Sequence, residues 1–388
     1  MADATCAGCG CACDDIEMTD AGPIRTCPLG DAWFAARTGD RPPVATVDGS
    51  TVSLDEAAAA AAAILRQARA PLVYGLGQTS CEAQRRAVAL AEAIGAVVDP
   101  AGSGTAGAAY QAIGSSTATF GEIRDRAELV VVWRADPVVT NPRLLERLRL
   151  ERATRGPRVL IVVDGERTAT AAEADAFVEL DAADDFAALW ALRALVTNAP
   201  LAHDHAPLLD DLATRLLGAR HVALLYGDNI EALALLALVR DLARERHVVT
   251  LGLRRDANGR GAEDVLAWQT GFPAAVSFAR GHPREDLSAS ALLERGEVDA
   301  ALVVTSDPLE HLPPAAAERL RELPTVVVDA RATATSQAAR VAFTTAADGI
   351  EVAGTVHRMD GVPVPLRAPL AGDRPGVEDV LAAIGGRL

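Results

Sequence analysis

Three short segments of this chain occur twice and in the same order, each running from strand-forming residues into a polar turn. Leu72-Val73-Tyr74-Gly75 returns 152 residues later as Leu224-Leu225-Tyr226-Gly227. Val131-Val132 with Asp136-Pro137 returns 171 residues later as Val303-Val304 with Asp307-Pro308. Val162-Val163-Asp164 with Thr168-Ala169-Thr170 returns 165 residues later as Val327-Val328-Asp329 with Thr333-Ala334-Thr335. One match could arise by chance in an Ala- and Val-rich chain. Three collinear matches, with offsets that differ as loop insertions would make them, indicate a duplicated unit.

Around these markers, apolar runs of strand length alternate with helical patterns. Strands are predicted over 72–76, 129–133, 158–163, 221–226, 248–251, 301–305 and 325–329, and helices over 81–94, 143–152, 186–197, 230–243 and 315–323. Short apolar strands separated by helices make parallel sheets covered on both faces. The fold class is therefore α/β: a small N-terminal four-Cys cluster subdomain (1–50), two pseudo-repeated Rossmann-like doubly wound halves (51–215 and 216–345), then a C-terminal hairpin and helix (346–388) that pack back on the body. The hairpin is predicted from the apolar/polar alternation of 351–364 around Asp360-Gly361, and the helix over 376–384. Ser53 or Asp55 is placed to cap an Ala-rich helix that stops near Pro71.

The N-terminus has another character. Cys6-x2-Cys9-x3-Cys13 is followed after thirteen residues by Cys27, and no amphipathic helix fits this opening. Three thiols share one tight Gly-containing loop and the fourth closes on them from a second segment. Four thiolates suit a [4Fe–4S] cluster or tetrahedral zinc; the x2/x3 spacing leans toward iron–sulfur, since structural zinc more often takes two close Cys pairs. Cys11 reads as a spare thiol within the loop, and Cys81 as a buried residue at the start of a helix. Six cysteines in 388 residues do not make a disulfide scaffold, which points to a reducing compartment.

Composition excludes other classes. The net charge is −16, all 37 cations are Arg, and no basic patch is interleaved with aromatics, so no nucleic-acid partner is expected. The longest apolar run, 57–65, falls far short of the ~20 residues that cross a bilayer, and no basic segment precedes an apolar one at the start. The reading is a cytoplasmic protein with no membrane partner. Gly75-Leu76-Gly77 lacks the third glycine of a dinucleotide loop and reads as a turn. His203-Asp204-His205 lies in a short polar connection and reads as solvated.

Several longer motifs carry a resemblance. They are Cys6-Ala7-Gly8-Cys9-Gly10-Cys11-Ala12-Cys13-Asp14-Asp15-Ile16, Cys27-Pro28-Leu29-Gly30, Gly77-Gln78-Thr79-Ser80-Cys81-Glu82-Ala83-Gln84, Phe120-Gly121-Glu122-Ile123, Asn141-Pro142-Arg143 and Gly354-Thr355-Val356-His357-Arg358-Met359-Asp360-Gly361. Together they resemble the family of formylmethanofuran dehydrogenase B subunits, related to the molybdopterin-dependent formate dehydrogenases, and above all the B subunit of the bacterial formyltransferase/hydrolase complex. The resemblance implies a [4Fe–4S] cluster on Cys6, Cys9, Cys13 and Cys27, with zinc as the alternative.

In the dehydrogenases of this family, a Cys or selenocysteine ligates molybdenum or tungsten held by two pterins. The corresponding stretch here, 101–107, has no Cys; Thr105 stands at the expected position, followed by Ala106 where His is common. A hydroxyl is a poor substitute for a soft thiolate, so no molybdopterin and no catalytic residue are expected. Leu29 replaces a basic residue common in the wider family, and Asn141 stands where archaeal relatives tend to have His. The expected role is a non-redox scaffold in a formyltransferase/hydrolase complex of tetrahydromethanopterin/methanofuran-linked formaldehyde oxidation. The implied partners are an amidohydrolase-type A subunit, a C subunit and a formyltransferase D subunit. The alternative is a functional molybdopterin oxidoreductase component interconverting formate or carbon dioxide with formyl-methanofuran.

Overall fold

A computed structural model describes residues 2–39, 41–101, 113–114, 116–200, 206–227 and 230–388. In chain order its strands are β1 Ala2–Cys6, β2 Cys13–Thr19, β3 Gly22–Ile24, β4 Ala45–Val47, β5 Ser50–Thr51, β6 Pro71–Gly75, β7 Val97–Asp99, β8 Leu129–Trp133, β9 Val159–Asp164 and β10 Ala176–Glu179. There follow β11 His221–Tyr226, β12 His247–Gly252, β13 Val276–Ser277, β14 Arg284–Glu285, β15 Ala300–Val304, β16 Thr325–Asp329, β17 Val341–Thr344, β18 Gly354–His357 and β19 Pro363–Leu366. They fall into two compact units. One comprises Met1–Gly104, Asp256–Arg358 and Pro363–Leu388; the other comprises Thr105–Arg255 and Met359–Val362.

The first unit is built on a sheet of order β14-β13-β7-β6-β15-β16-β17-β4-β5. Its five central strands, β7-β6-β15-β16-β17, are parallel, and antiparallel strands extend both edges. The second unit has an all-parallel sheet of order β10-β9-β8-β11-β12. In both, the central strands are buried along their length, which is why they read as unbroken Val/Leu runs rather than as alternating patterns.

Laid side by side, β7-β6-β15-β16-β17 and β12-β11-β8-β9-β10 match strand for strand, and every sequence repeat falls on a matched pair: β6 with β11, β15 with β8, β16 with β9. The copies, however, are not the units. The first copy along the chain puts β6 and β7 in one sheet and β8, β9 and β10 in the other; the second puts β11 and β12 with the latter and β15, β16 and β17 with the former. Each sheet thus takes two strands from one copy and three from the other. This corrects the expected boundaries: the division at 215/216 cuts the sheet in which β8 pairs with β11, and 51–215 and 216–345 are not separate units. Residues 1–50 are no separate body either, since they lie in the first unit and β4 and β5 form the edge of its sheet. The physical reason is that an apolar run states how deeply a strand is buried, not which equally apolar neighbour it pairs with.

Local signals agree well with the elements formed. Ser53 caps the helix Leu54–Gln67 in a reciprocal box with Glu56, and Ser80 caps Cys81–Ile94, which Gly95 ends in the left-handed region at φ 67°. The helix predicted over 143–152 is shorter, Leu144–Leu148, because Arg149 turns left-handed at φ 51°. The tail forms the expected hairpin, β18 with β19, and the helix Val377–Gly385 buries Val377, Val380, Leu381 and Ile384 in the core of the first unit. Among the described residues, no helix is long and apolar enough to cross a membrane.

Candidate functional site

The four cysteines sit on a hairpin and a helix of the first unit. β1 and β2 pair with Cys6 opposite Cys13, so these two thiols flank the mouth of the 7–12 loop. Inside the loop, the Ala12 amide donates to the Cys9 carbonyl at 3.1 Å, and Ala12 adopts φ 40°, a tight turn that returns the chain to β2. Cys27 arrives from the second segment at the N-cap of the helix Pro28–Thr38. That helix differs from the expectation of no helix in the opening, and it starts where Pro28 supplies a preset φ at the first helical position.

Cys6, Cys9 and Cys13 are buried, and Cys27 is partly exposed. Burial pushes the Cys6 thiol up to about 12; a backbone hydrogen bond at Gly8 opposes this, and Cys13, Cys9 and Cys27 each add repulsion. The other three predicted ligands therefore each lie within electrostatic reach of Cys6. Two glycines leave space at the Cys6 sulfur: a Cβ on Gly30 would sit 3.2 Å from it and one on Gly8 3.4 Å. Among the described residues, no three Cys, His, Asp or Glu side chains are drawn together as ligands of a single ion. Cys11 is fully buried beside the quartet, and Cys81 is buried at the start of its helix, where burial raises its thiol to about 11.

Behind the cysteines the helix presents Trp33 and Arg37. The Arg37 guanidinium lies 4.7 Å from the centre of the Trp33 ring and donates to the Trp33 carbonyl at 3.2 Å and to Gln78 Oε1 at 3.5 Å. Burial, then Arg331, lowers Arg37 to about 10. Gln78 in turn donates to Asp256 Oδ1 at 2.7 Å. Gln78 follows β6, at the point where the strand order of this sheet reverses between β6 and β15, the place where open α/β sheets receive ligands.

The rest of the Gly77–Gln84 motif is structural. Gln84 Nε2 donates to the carbonyls of Leu76 and Asn258, Thr79 and Ser80 donate to Asp348, and Glu82 accepts from the Thr355 amide. Asn258, fully buried, donates to the Thr79 carbonyl and accepts from the His357 amide at 2.7 Å. His357 Nδ1 lies 2.7 Å from Asp264 Oδ2. The motifs at 77–84 and 354–357 are thereby sewn together by side chains that no spacing rule relates.

The second unit holds a cavity of about 500 Å³ at the carboxyl ends of β8, β9 and β11, lined by Arg134, Asp136, Asn141, Asp164, Gly227 and Arg255 among others. It lies at that sheet's own reversal point, between β8 and β11. Arg134 is held by Asp185 through Nε at 2.9 Å and Nη2 at 3.0 Å. Asn141 is buried and donates to the Arg254 carbonyl at 2.9 Å, so it braces the wall of this cavity. Sequence reasoning missed Arg134; the signal available was its place two residues before the repeated Asp-Pro, where the other copy has Thr305 with the same left-handed backbone, φ 51° and 50°. Thr105 and Ala106, the 101–107 stretch beyond its first residue, and His203 to His205 lie outside the described residues. Leu29 is exposed on the first turn of its helix.

The fold has solved counterparts. The fold matches a chain of the crystal structure of the formyltransferase/hydrolase complex (FhcABCD) from Methylorubrum extorquens in complex with methylofuran, over 88% of this chain and 98% of that one, with TM-score 0.73 and 29% identity. It also matches acetylene hydratase from Pelobacter acetylenicus over 100% of this chain and 69% of that one, with TM-score 0.70; at 13% identity this is a likeness of fold alone. The sequence is 32% identical over 400 aligned positions, 93% of this chain and 92% of the other, to the B subunit of the tungsten-containing formylmethanofuran dehydrogenase 2 of Methanocaldococcus jannaschii. It is 30% identical to the B subunit of the Methylorubrum extorquens formyltransferase/hydrolase complex Fhc, over 68% of this chain and 75% of that one. The chain belongs to the family of formylmethanofuran dehydrogenase B subunits. No protein-family model matches it.

Proposed function

We propose that this chain is the B subunit of a formyltransferase/hydrolase complex, serving as a non-redox scaffold for A, C and D subunits that transfer a formyl group from tetrahydromethanopterin to a methanofuran-type carrier and hydrolyse it to formate. The observation that carries the reading is the end-to-end match to a chain of a complex with that composition, 98% of whose length is covered. Thr105 at the expected metal-ligand position supports the absence of molybdenum or tungsten chemistry.

Cys6, Cys9, Cys13 and Cys27 would hold a [4Fe–4S] cluster. Three thiols within electrostatic reach of Cys6, and two glycines that keep side chains away from the Cys6 sulfur, fit such a group. When bound, it would tie the hairpin β1–β2 to the helix Pro28–Thr38. Zinc on the same thiolates is the alternative ligand set. The second functional reading, a molybdopterin oxidoreductase component, is favoured by one observation: the matched relative of M. jannaschii is tungsten-containing.

Elemental analysis of anaerobically purified protein tests these readings together. About four irons per chain without molybdenum or tungsten is the expected result. Molybdenum or tungsten at about one per chain favours the oxidoreductase, since one such metal is held by its pterin cofactor. Zinc in place of iron replaces the cluster but leaves the scaffold. Co-purification with co-expressed A, C and D subunits tests the partners, and a chain that leaves them unbound overturns the scaffold.

A further inference from the structure

The helix Pro28–Thr38 begins at Cys27 and buries Trp33 and Arg37, one turn apart on the same face. Both side chains have an unmet electrostatic need. Trp33 is 7% exposed, and its indole N–H is buried with no hydrogen-bond partner among the described residues. A buried donor left without an acceptor is costly, so such a group marks a place where an acceptor belongs. The Trp33 ring starts beside the cysteines: a Cβ on Gly8 would lie 3.2 Å from Trp33 Cβ, 3.4 Å from Trp33 Cγ and 3.4 Å from the Cys6 sulfur. Ring and sulfur thus share the space that Gly8 leaves open. Arg37 is 5% exposed, yet its hydrogen bonds run to a carbonyl and an amide oxygen; Asp329, Cys6 and Asp348 attract it without an ion pair to either carboxylate among the described residues. A buried guanidinium without an anion against it is equally costly. Four thiolates around a metal centre carry net negative charge and bring further acceptors, which would give Trp33 a partner and add an anion on the Cys6 side of Arg37.

We propose that Trp33 and Arg37 form the outer shell of the centre held by Cys6, Cys9, Cys13 and Cys27, Trp33 offering its indole N–H, which no cysteine sulfur accepts, to an acceptor that the bound centre brings, and Arg37 supplying the cation beside it. The inference rests on the cluster reading above. Both are positioning residues: hydrogen bonds to sulfur and nearby positive charge stabilise the more negative, reduced state of an iron–sulfur centre and raise its potential. Through Gln78 and Asp256, Arg37 also connects the cysteine hairpin to the ligand-receiving end of the first sheet.

The test is the midpoint potential of the full-length protein, purified anaerobically and titrated with EPR detection, together with iron per chain. Wild type is compared with Trp33→Phe, Arg37→Lys and Arg37→Met, and with Arg66→Met on the exposed end of another helix as control. Trp33→Phe and Arg37→Met are expected to keep their iron and move the potential more negative, Arg37→Lys to restore most of the shift, and Arg66→Met to leave it unchanged. Should Arg37→Met lose its iron, Trp33→Phe and Arg37→Lys decide. Iron retained with every potential unchanged overturns the outer shell while the cluster stands. Wild-type protein without iron overturns the cluster reading and this inference with it.

Discussion

Asp307 repeats, contact for contact, what Asp136 does in the other sheet. Asp136 accepts the Thr170 amide at 2.9 Å and the Thr170 hydroxyl at 2.5 Å through Oδ1, and the Ala169 amide at 3.1 Å through Oδ2. Asp307 accepts the Thr335 amide and hydroxyl at the same distances and the Ala334 amide at 2.9 Å. Even the backbone agrees, with φ −121° at both. Each carboxylate joins the loop after one strand to the first turn of the helix after the next, and so fixes the spacing of the loops at the carboxyl edge of its sheet.

Because each aspartate satisfies two amides and a hydroxyl, Asp136→Ala and Asp307→Ala are each expected to cost about 2 kcal/mol. Chemical denaturation measures this. Equal losses at the two positions would establish that the repeated contact does the same work in both sheets.

Two glycines at the strand ends have no room for a methyl group. A Cβ on Gly227 would lie 2.1 Å from the Arg134 carbonyl oxygen, and one on Gly75, at φ 109°, 2.4 Å from that of Val304. Backbone cannot yield as a side chain can, so Gly75→Ala and Gly227→Ala are each expected to cost more than about 3 kcal/mol, visible as a large fall in melting temperature or in soluble yield. Gly49, at φ 76° with nothing within 4 Å, isolates the dihedral cost, and Gly49→Ala is expected to lose only about 1 kcal/mol.

Stability should respond to pH in two opposite ways. Burial raises the Asp348 carboxyl above its ordinary 3.8, against the hydrogen bonds from Thr79 and Ser80. Its contribution is therefore complete below 3.8 and declines as pH rises through the folded value. Burial also acts to raise Glu351, but the hydrogen bond and charge of Arg41 outweigh it and hold the carboxyl below its ordinary 4.5. That contribution is present above 4.5 and lost as pH falls through the folded value. Denaturation midpoints followed from acid to neutral pH should show Asp348→Asn removing the decline toward neutrality and Glu351→Gln removing the acid loss. Arg41 grips Glu351 through both nitrogens at 2.6 and 2.9 Å, both side chains being largely buried, so Glu351→Gln is also expected to cost about 3 kcal/mol at neutral pH.

Single Cys→Ser exchanges separate ligands from bystanders. Cys9→Ser, Cys13→Ser and Cys27→Ser are expected to lose iron, while Cys11→Ser and Cys81→Ser keep it. Iron retained in any of the first three, or lost with Cys11→Ser, would reassign the fourth ligand.

Much of the fold was legible because burial leaves a periodic trace. The helix Cys81–Ile94 and the hairpin around Asp360-Gly361 fall where composition and turn chemistry put them. The short strands β5, β13 and β14, at or next to the sheet edges, were not legible, being two residues long and showing no period. The cysteine spacing marked the candidate centre, but Trp33 and Arg37 carry no spacing signal; only the placement of their helix turns an ordinary aromatic and an ordinary arginine into neighbours of Cys6.

From the sequence alone come the α/β class, the central strands, many of the helices though not Pro28–Thr38, Ala206–Gly218 or Gly259–Thr270, the duplication and the four grouped thiols, since these depend on local composition and on repeats along one dimension. The tertiary structure decided which copy each strand joined. β8 pairs with β11 and β6 with β15, an exchange between copies that no apolar run could announce, because both copies offer a strand the same buried, hydrogen-bonding edge. Pairing is settled by contacts between segments far apart along the chain, and those exist only once the chain has folded.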